Sequence, residues 1–167
     1  MIIPTRGTKE KELDDLNAGL ARLIHQSGVE GVVSGALASE YQKTRLDNIC
    51  EELGVKSFAP LWHKNQEQLV KEQIDSGFEI MITACSALGF DASWLGRKLG
   101  QSDIIDLVKL NRRYGLSVGF EGGEAETFVL SAPFFKGRLT VARSEAHWKG
   151  ESGYLELKEV RLEHQVP

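Results

Sequence analysis

Leu13, Leu16, Leu20, Leu23 and Ile24 recur at intervals of three and four residues with charges between them, and Gly28 follows. This spacing puts the apolar side chains on one face of a helix over Thr8 to Ser27, stopped by Gly28. Gly31-Val32-Val33-Ser34-Gly35-Ala36 predicts a short buried strand ending in a small-residue turn. A second helix is predicted from Ser39 to Leu53, with Leu46, Ile49, Cys50 and Leu53 on one face and Gly54 behind it. A strand near Lys56 to Ala59 then runs into Pro60-Leu61-Trp62, and Asn65 with Gln68 has the spacing of a capping box for a helix ending at Gly77. Phe78 to Cys85 is almost continuously apolar, the mark of a strand buried on both faces. Strands alternating with helices in this way predict an α/β fold with a parallel sheet through Cys85. Ile2-Ile3-Pro4-Thr5 reads as the end of a buried strand, either an edge or one that something normally precedes.

The grammar changes after Leu88. Gly89 to Leu99 is a loop or short helix around Trp94-Leu95-Gly96-Arg97, and Ser102 is expected to cap a helix carrying Ile104, Ile105, Leu107, Val108 and Leu110, stopped by Gly115. Three strand-like pieces follow without helices between them: Ser117 to Phe120 continuing after a turn into Thr127 to Leu130, then Arg138 to Arg143, then Tyr154 to Leu162. In the last, Leu155 and Leu157 alternate, and Val160 and Leu162 alternate one register later, which predicts a β-bulge near Lys158 or Glu159. The expected organisation is a parallel α/β part over residues 1–62 and a smaller α+β part over 63–167.

Composition narrows the function. At 167 residues the chain is one domain or one and a fraction, and 41% hydrophobic residues suffice for a packed core. A net charge of -4 supplies no basic field for a polyanion, so nucleic-acid binding is not expected. No apolar run approaches the ~18 residues a membrane span requires, and no leader pattern opens the chain, so a cytoplasmic protein without a membrane partner is expected. Cys50 and Cys85 lie in separate apolar stretches and read as buried free thiols. His25, His63, His147 and His164 show no ligand spacing, and no metal site is predicted.

Two places could carry chemistry. Gly119 to Thr127 sets Glu121, Glu124 and Glu126 among three glycines between apolar segments. A hairpin loop with water-facing glutamates explains the pattern, and in that reading Glu124 contributes little to folding. Three carboxylates so close also repel one another, which a bound cation, an amine or an arginine would relieve. Carboxylates of this kind orient an ammonium group or accept a proton from an attacking amine. The second place is Ser34 to Ser39, a strand end leading to a helix N-terminus, with Tyr41, Gln42 and Arg45 in the first turns of that helix. Backbone N–H groups there could receive a phosphate, a ribose or an adenine edge, or the small residues could serve only close packing.

The stretches Gly31 to Ala36, Ser39 to Arg45, Ala59-Pro60-Leu61-Trp62, Trp94-Leu95-Gly96-Arg97 and Glu121-Gly122-Gly123-Glu124-Ala125-Glu126-Thr127-Phe128-Val129 together resemble the diphthine-ammonia ligase (diphthamide synthase) family, a branch of the N-type ATP pyrophosphatases or PP-loop ATPases. The resemblance implies a Rossmann-like parallel sheet of the adenine nucleotide alpha hydrolase type followed by a substrate domain. It further implies adenylation of the carboxylate of diphthine, a modified histidine on elongation factor 2, and amidation by ammonia to diphthamide with release of AMP and pyrophosphate. ATP with Mg2+ would be the cofactors. Gly35, Ala36, Ser39, Tyr41, Gln42 and Arg45 would lie near the nucleotide. Glu121, Gly122, Gly123 and Thr127 would line the substrate side, and Glu124 or Glu126 would be the catalytic carboxylate.

The family's opening strand and SGGKDS-type loop, which hold the pyrophosphate, have no counterpart here, and no Mg2+ site is identifiable. The first βα units are therefore expected to be missing, leaving a truncated sheet with an unpaired edge, weak or absent ATP turnover, and a tendency to form homo-oligomers. Two alternatives stand beside this reading. One is a non-catalytic nucleotide-binding module, and the other is ATP-dependent amidation of a small carboxylate metabolite.

Overall fold

A computed structural model describes residues 1–5, 7–8 and 11–164. The chain forms two compact units, one reaching to Lys64 and one starting at Asn65.

In the first unit, α1 (Lys11–Ser27), β1 (Gly31–Val33), α2 (Glu40–Glu52) and β2 (Lys56–Phe58) follow in order. The strands pair in parallel, Val32 opposite Ser57, as a βαβ crossover requires. Leu20, Ala36, Leu37, Ile49 and Cys50 form the buried interior. Ser39 caps α2 by accepting the Gln42 N–H at 3.3 Å. The strand expected at residues 2–5 does not form: the segment pairs with no strand, and Ile2 is 92% exposed. Ile3 instead docks on α1 at Gly19, where a methyl group would fall 2.4 Å from its Cδ1, so a larger residue there would push the Ile3 side chain aside. Val33 and Phe58, at the ends of the short strands, are 71% and 50% exposed.

The second unit contains α3 (Gln66–Asp75), β3 (Glu79–Cys85), a 3-10 turn (Ala92–Trp94), α4 (Gln101–Tyr114), β4 (Ala125–Ser131), β5 (Gly137–Lys149) and β6 (Ser152–His164). Its sheet has the order β4-β3-β6-β5 and is antiparallel throughout. The expected parallel sheet therefore ends at β2. Strand β3 looked like its continuation because both of its faces are covered, which also happens here. Ile80, Ile82 and Cys85 join the core with Leu107, Ile104, Trp94 and Val118. Met81, on the opposite face, shares a small cavity with Leu130, Leu139 and Val141.

Local signals explain the helix ends. Asn65 caps α3 by accepting the Gln68 N–H at 2.9 Å, and Gly115 ends α4 at φ 75°. Ser102 is not the cap of α4. The N-cap is Gly100, whose N–H donates to Asp103 at 2.8 Å, and Arg97 holds that carboxylate from the other side at 3.3 Å. Ser117 to Phe120 is a turn and not a strand. Leu116 and Val118 alternate with polar residues because they are buried in the core from a loop, and the Phe120 N–H closes back on the Ser117 carbonyl at 3.0 Å. The predicted bulge is present: the β5–β6 register passes from Arg143 opposite Glu159 to Ser144 opposite Leu157, leaving Lys158 unmatched. No helix among the described residues is long and apolar enough to cross a membrane.

Ile82 and Leu107 are fully buried, so Ile82→Ala and Leu107→Ala should each cost about 2–5 kcal/mol in denaturant unfolding. Cys50 and Cys85 are free thiols at 1% exposure, and burial, aided by the charge of Asp91, pushes the Cys85 thiol up to about 11. Iodoacetamide at neutral pH should therefore label neither cysteine until denaturant unfolds the chain, as mass spectrometry would show.

Candidate functional site

The acidic loop between α4 and β4 is held by its own glutamate. Glu124 accepts the Ser117 N–H on Oε1 and the Gly122 N–H on Oε2, each at 2.8 Å, so both carboxylate oxygens are committed to backbone. Its main-chain carbonyl accepts the Ser86 N–H at 2.8 Å, and the Ser86 hydroxyl donates to the Gly123 carbonyl at 2.6 Å, which ties the loop to the end of β3. From α3, Gln66 accepts the Ser117 hydroxyl at 2.7 Å and the Gly119 N–H at 3.1 Å on one oxygen. The Ser117 oxygen in turn accepts the Glu121 N–H at 3.1 Å. Phe120 sits at φ 61°, an uncommon conformation for a bulky residue, and its ring packs on Phe90 with centroids 6.4 Å apart. Strain of this kind persists where the surroundings over-determine the backbone.

The expectation of a water-facing Glu124 is thus overturned: the side chain is half-buried and clamps the turn. Glu121, Gly122, Gly123, Glu126 and Thr127 are exposed around it. Thr127 and Glu126 stand on β4, opposite Ile82 and Ala84. Gln66, Ser117 and Ser86 were not singled out from the sequence. Gln66 lies 51 residues from Ser117, and nothing local signals that pairing.

The residues expected near a nucleotide gather at one turn of the first unit. Gly35 is exposed, and a side chain there would meet nothing within 4 Å, so the turn is open. Ala36 is buried at 9% and serves the core, whereas Ser39 spends its oxygen on capping α2. Tyr41 and Gln42 are exposed on the first turn of α2, and the Arg45 guanidinium lies 3.3 Å from the centroid of the Tyr41 ring. The carboxylates close by are engaged: Glu40 faces His63 at 3.9 Å, and Asp47 is bound by Lys43 and accepts from Ser57 at 2.7 Å. These hydrogen bonds, that of Lys43 first, hold Asp47 below the usual carboxylate range. The turn is open at Gly35, and the nearby carboxylates of Glu40 and Asp47 are engaged with His63, Lys43 and Ser57.

One group among the described residues could reach a common ion, Glu145, His147 and Glu156 across the β5–β6 hairpin. The sequence gives no hint of it, because the strand register brings the three together. A cation is already there: the Lys158 ammonium lies 2.6 Å from Glu156 and 3.5 Å from Glu145, and its hydrogen bond is the first cause holding Glu156 below the usual carboxylate range.

Replacing Glu124 by Gln leaves a backbone N–H facing an amide N–H, so Glu124→Gln should cost about 1–3 kcal/mol in denaturant unfolding. Glu126→Gln, at an exposed site, should change stability by less than about 0.5 kcal/mol.

Comparison with known proteins agrees with this partition. The family described as diphthamide synthase N-terminal domain matches residues 2–57, and the one described as diphthamide synthase C-terminal domain matches residues 65–162. Proteins named diphthine–ammonia ligase from Rattus norvegicus and Homo sapiens are each 38% identical over 161 residues, covering 93% of this chain and 60% of theirs. The protein of that name from Schizosaccharomyces pombe is 36% identical over 154 residues, covering 90% of this chain and 25% of its own. The chain thus spans about 60% of the length of the mammalian relatives. Matches over both units and most of its residues show that the chain belongs to the diphthamide synthase family, whose function lies in diphthamide biosynthesis.

Proposed function

We propose that the chain takes part in ATP-dependent amidation of the diphthine carboxylate on elongation factor 2. In this reaction the carboxylate attacks the α-phosphorus of ATP and pyrophosphate leaves. Ammonia then attacks the acyl-adenylate carbon, the C–N bond forms as the bond to AMP breaks, and the proton lost by the nitrogen passes to a carboxylate. The observation that carries this reading is the clamped acidic loop: Glu124 is consumed in holding the turn, which leaves Glu121 and Glu126 exposed at defined positions. Glu126, on the rigid β4, is then the carboxylate that orients ammonium and takes its proton, and Glu124 acts through it by fixing the loop. Glu121, Gly122, Gly123 and Thr127 line the substrate side.

ATP, a co-substrate here, would meet Gly35, Ala36, Ser39, Tyr41, Gln42 and Arg45. The exposed turn at Gly35 and the aromatic ring of Tyr41 suit an adenosine moiety. Mg2+ has no ligand set at this turn, so no step is assigned to it. The exposed Val33 and Phe58 on the short parallel pair support self-association, and the expected compartment is the cytoplasm.

Incubation with elongation factor 2 carrying diphthine, ATP and ammonium should give diphthamide and AMP, read by mass spectrometry and nucleotide chromatography. Nucleotide binding without amide formation would replace this reading by that of a non-catalytic module. Glu126→Gln should lower amidation about 10²-fold with an unchanged melting temperature.

A further inference from the structure

The β5–β6 hairpin gathers two carboxylates, an imidazole and an ammonium on one face. Glu145 is opposite Glu156, and His147 is opposite Tyr154 in the next row. Directly opposed residues share a face of the sheet, as do residues two apart on one strand, so Glu145, His147 and Glu156 converge. Each offers one ligand atom, and the three atoms lie within 4.8 Å of one another. His147 Nε2 is 3.4 Å from Glu156 Oε2 and 3.7 Å from Glu145 Oε1.

That nitrogen is shielded from solvent and makes no hydrogen bond among the described residues. A buried polar atom without a partner costs free energy, and a bound ion is one of the things that resolves it. Stacking on Tyr154, with centroids 4.8 Å apart and planes at 24°, holds the imidazole in place beside the two glutamates. The stacked rings also wall an open groove of about 760 Å³ that reaches Ala84, and both glutamates are exposed, so ions have access to the cluster. The Lys158 ammonium meets Glu156 Oε2 at 2.6 Å and Glu145 Oε2 at 3.5 Å, offsetting one of the two carboxylate charges and leaving the imidazole nitrogen without a bond. Two carboxylates and one imidazole suit a borderline transition ion such as Zn2+, whereas Mg2+ and Ca2+ favour oxygen ligands alone. Zinc bonds of about 2.0–2.2 Å put the ligand atoms of a tetrahedral ion roughly 3.3–3.6 Å apart. The imidazole already stands at close to that spacing from both carboxylates.

We propose that Glu145, His147 and Glu156 form a site for a divalent transition-metal ion of the Zn2+ class, which binds in exchange for the Lys158 ammonium. The site lies outside the acidic loop and the turn at Gly35 and does not rest on the amidation proposed above. Two of its ligands belong to β5 and one to β6, so the ion ties the two strands together beside the bulge. Three protein ligands leave a fourth position to water. The ion and the ammonium share Glu156 Oε2, so they compete, and Lys158 tunes the affinity.

The test is isothermal titration calorimetry of the full, untagged chain, stripped of metal with a chelator, against Zn2+ and separately against Mg2+. One Zn2+ per chain is expected to bind saturably, about tenfold or more tighter than Mg2+. Zn2+ should also raise the melting temperature, because it binds the folded hairpin and not the unfolded chain. His147→Ala and Glu156→Gln should each weaken Zn2+ about tenfold or more, since each removes a ligand. Lys158→Met, which removes the competing charge, should tighten it about threefold or more. Glu156→Gln alters an exposed side chain and remains informative if His147→Ala disturbs the stack on Tyr154. Absence of saturable Zn2+ binding, equal affinity for Mg2+, or wild-type affinity in both His147→Ala and Glu156→Gln would overturn the site. Unchanged affinity in Lys158→Met would overturn the exchange with the ammonium. Metal binding is read without ATP or elongation factor 2, so its outcome is independent of whether the chain amidates.

Discussion

Strand β3 meets β6 over only two residue pairs, Ala84 with Tyr154 and Cys85 with Gly153, and the arrangement of the second unit depends on this short seam. It joins the β3–β4 pair to the long β5–β6 hairpin and sets which residues of each lie side by side. Its close packing limits what can occupy it: a methyl on Gly153 would fall 2.4 Å from the Trp148 ring and 2.6 Å from the His147 carbonyl. Cys85, on the core side, is buried with Ala125, while Ala84 on the other side remains partly open. A slip of one residue at the seam would exchange these faces, burying Tyr154 and exposing Leu155. Core packing and the composition of the groove are therefore set by one register.

The acidic loop depends on the same strand in another way. Like charges placed close together destabilise a turn unless something offsets them. Here the offset for one of the three carboxylates is backbone hydrogen bonding, with Glu124 taking two N–H groups and the loop anchored to β3 through Ser86. A carboxylate whose two oxygens are both taken by backbone N–H groups is spent on holding the turn. The same geometry leaves Glu126 on a strand rather than on the loop tip, where its position is as rigid as the sheet.

What could be read from the sequence was what is decided locally. The helix ends at Asn65 and Gly115 depend on residues one turn away and were legible, as was the bulge at Lys158, where a change of alternation is itself the signal. The direction of β3 was not legible. A strand covered on both faces has the same apolar run whether helices cover it, as in a parallel sheet, or a curled hairpin does, as at Met81. Leu116 and Val118 imitated a strand because burial from a turn can alternate as well.

The candidate site was legible in composition but not in roles. Three glutamates among glycines mark the loop, yet the distinction between Glu124 and Glu126 comes from Ser117, Gly122 and Ser86, and Gln66 reaches the loop from α3. Such partners are chosen by the fold and not by spacing. His147 shows the limit most clearly. Alone in the sequence it has no ligand or catalytic spacing, but β5–β6 pairing sets it against Tyr154, with Glu145 and Glu156 at 3.7 and 3.4 Å. Those two carboxylates oppose each other across the strands and would repel, and Lys158 reaches both. The bulge at Lys158 is therefore more than an interruption of alternation, since the unmatched residue is the one whose ammonium joins the two glutamates. The register that opposes Glu145 to Glu156 also opposes His147 to Tyr154, where the two rings stack 4.8 Å apart.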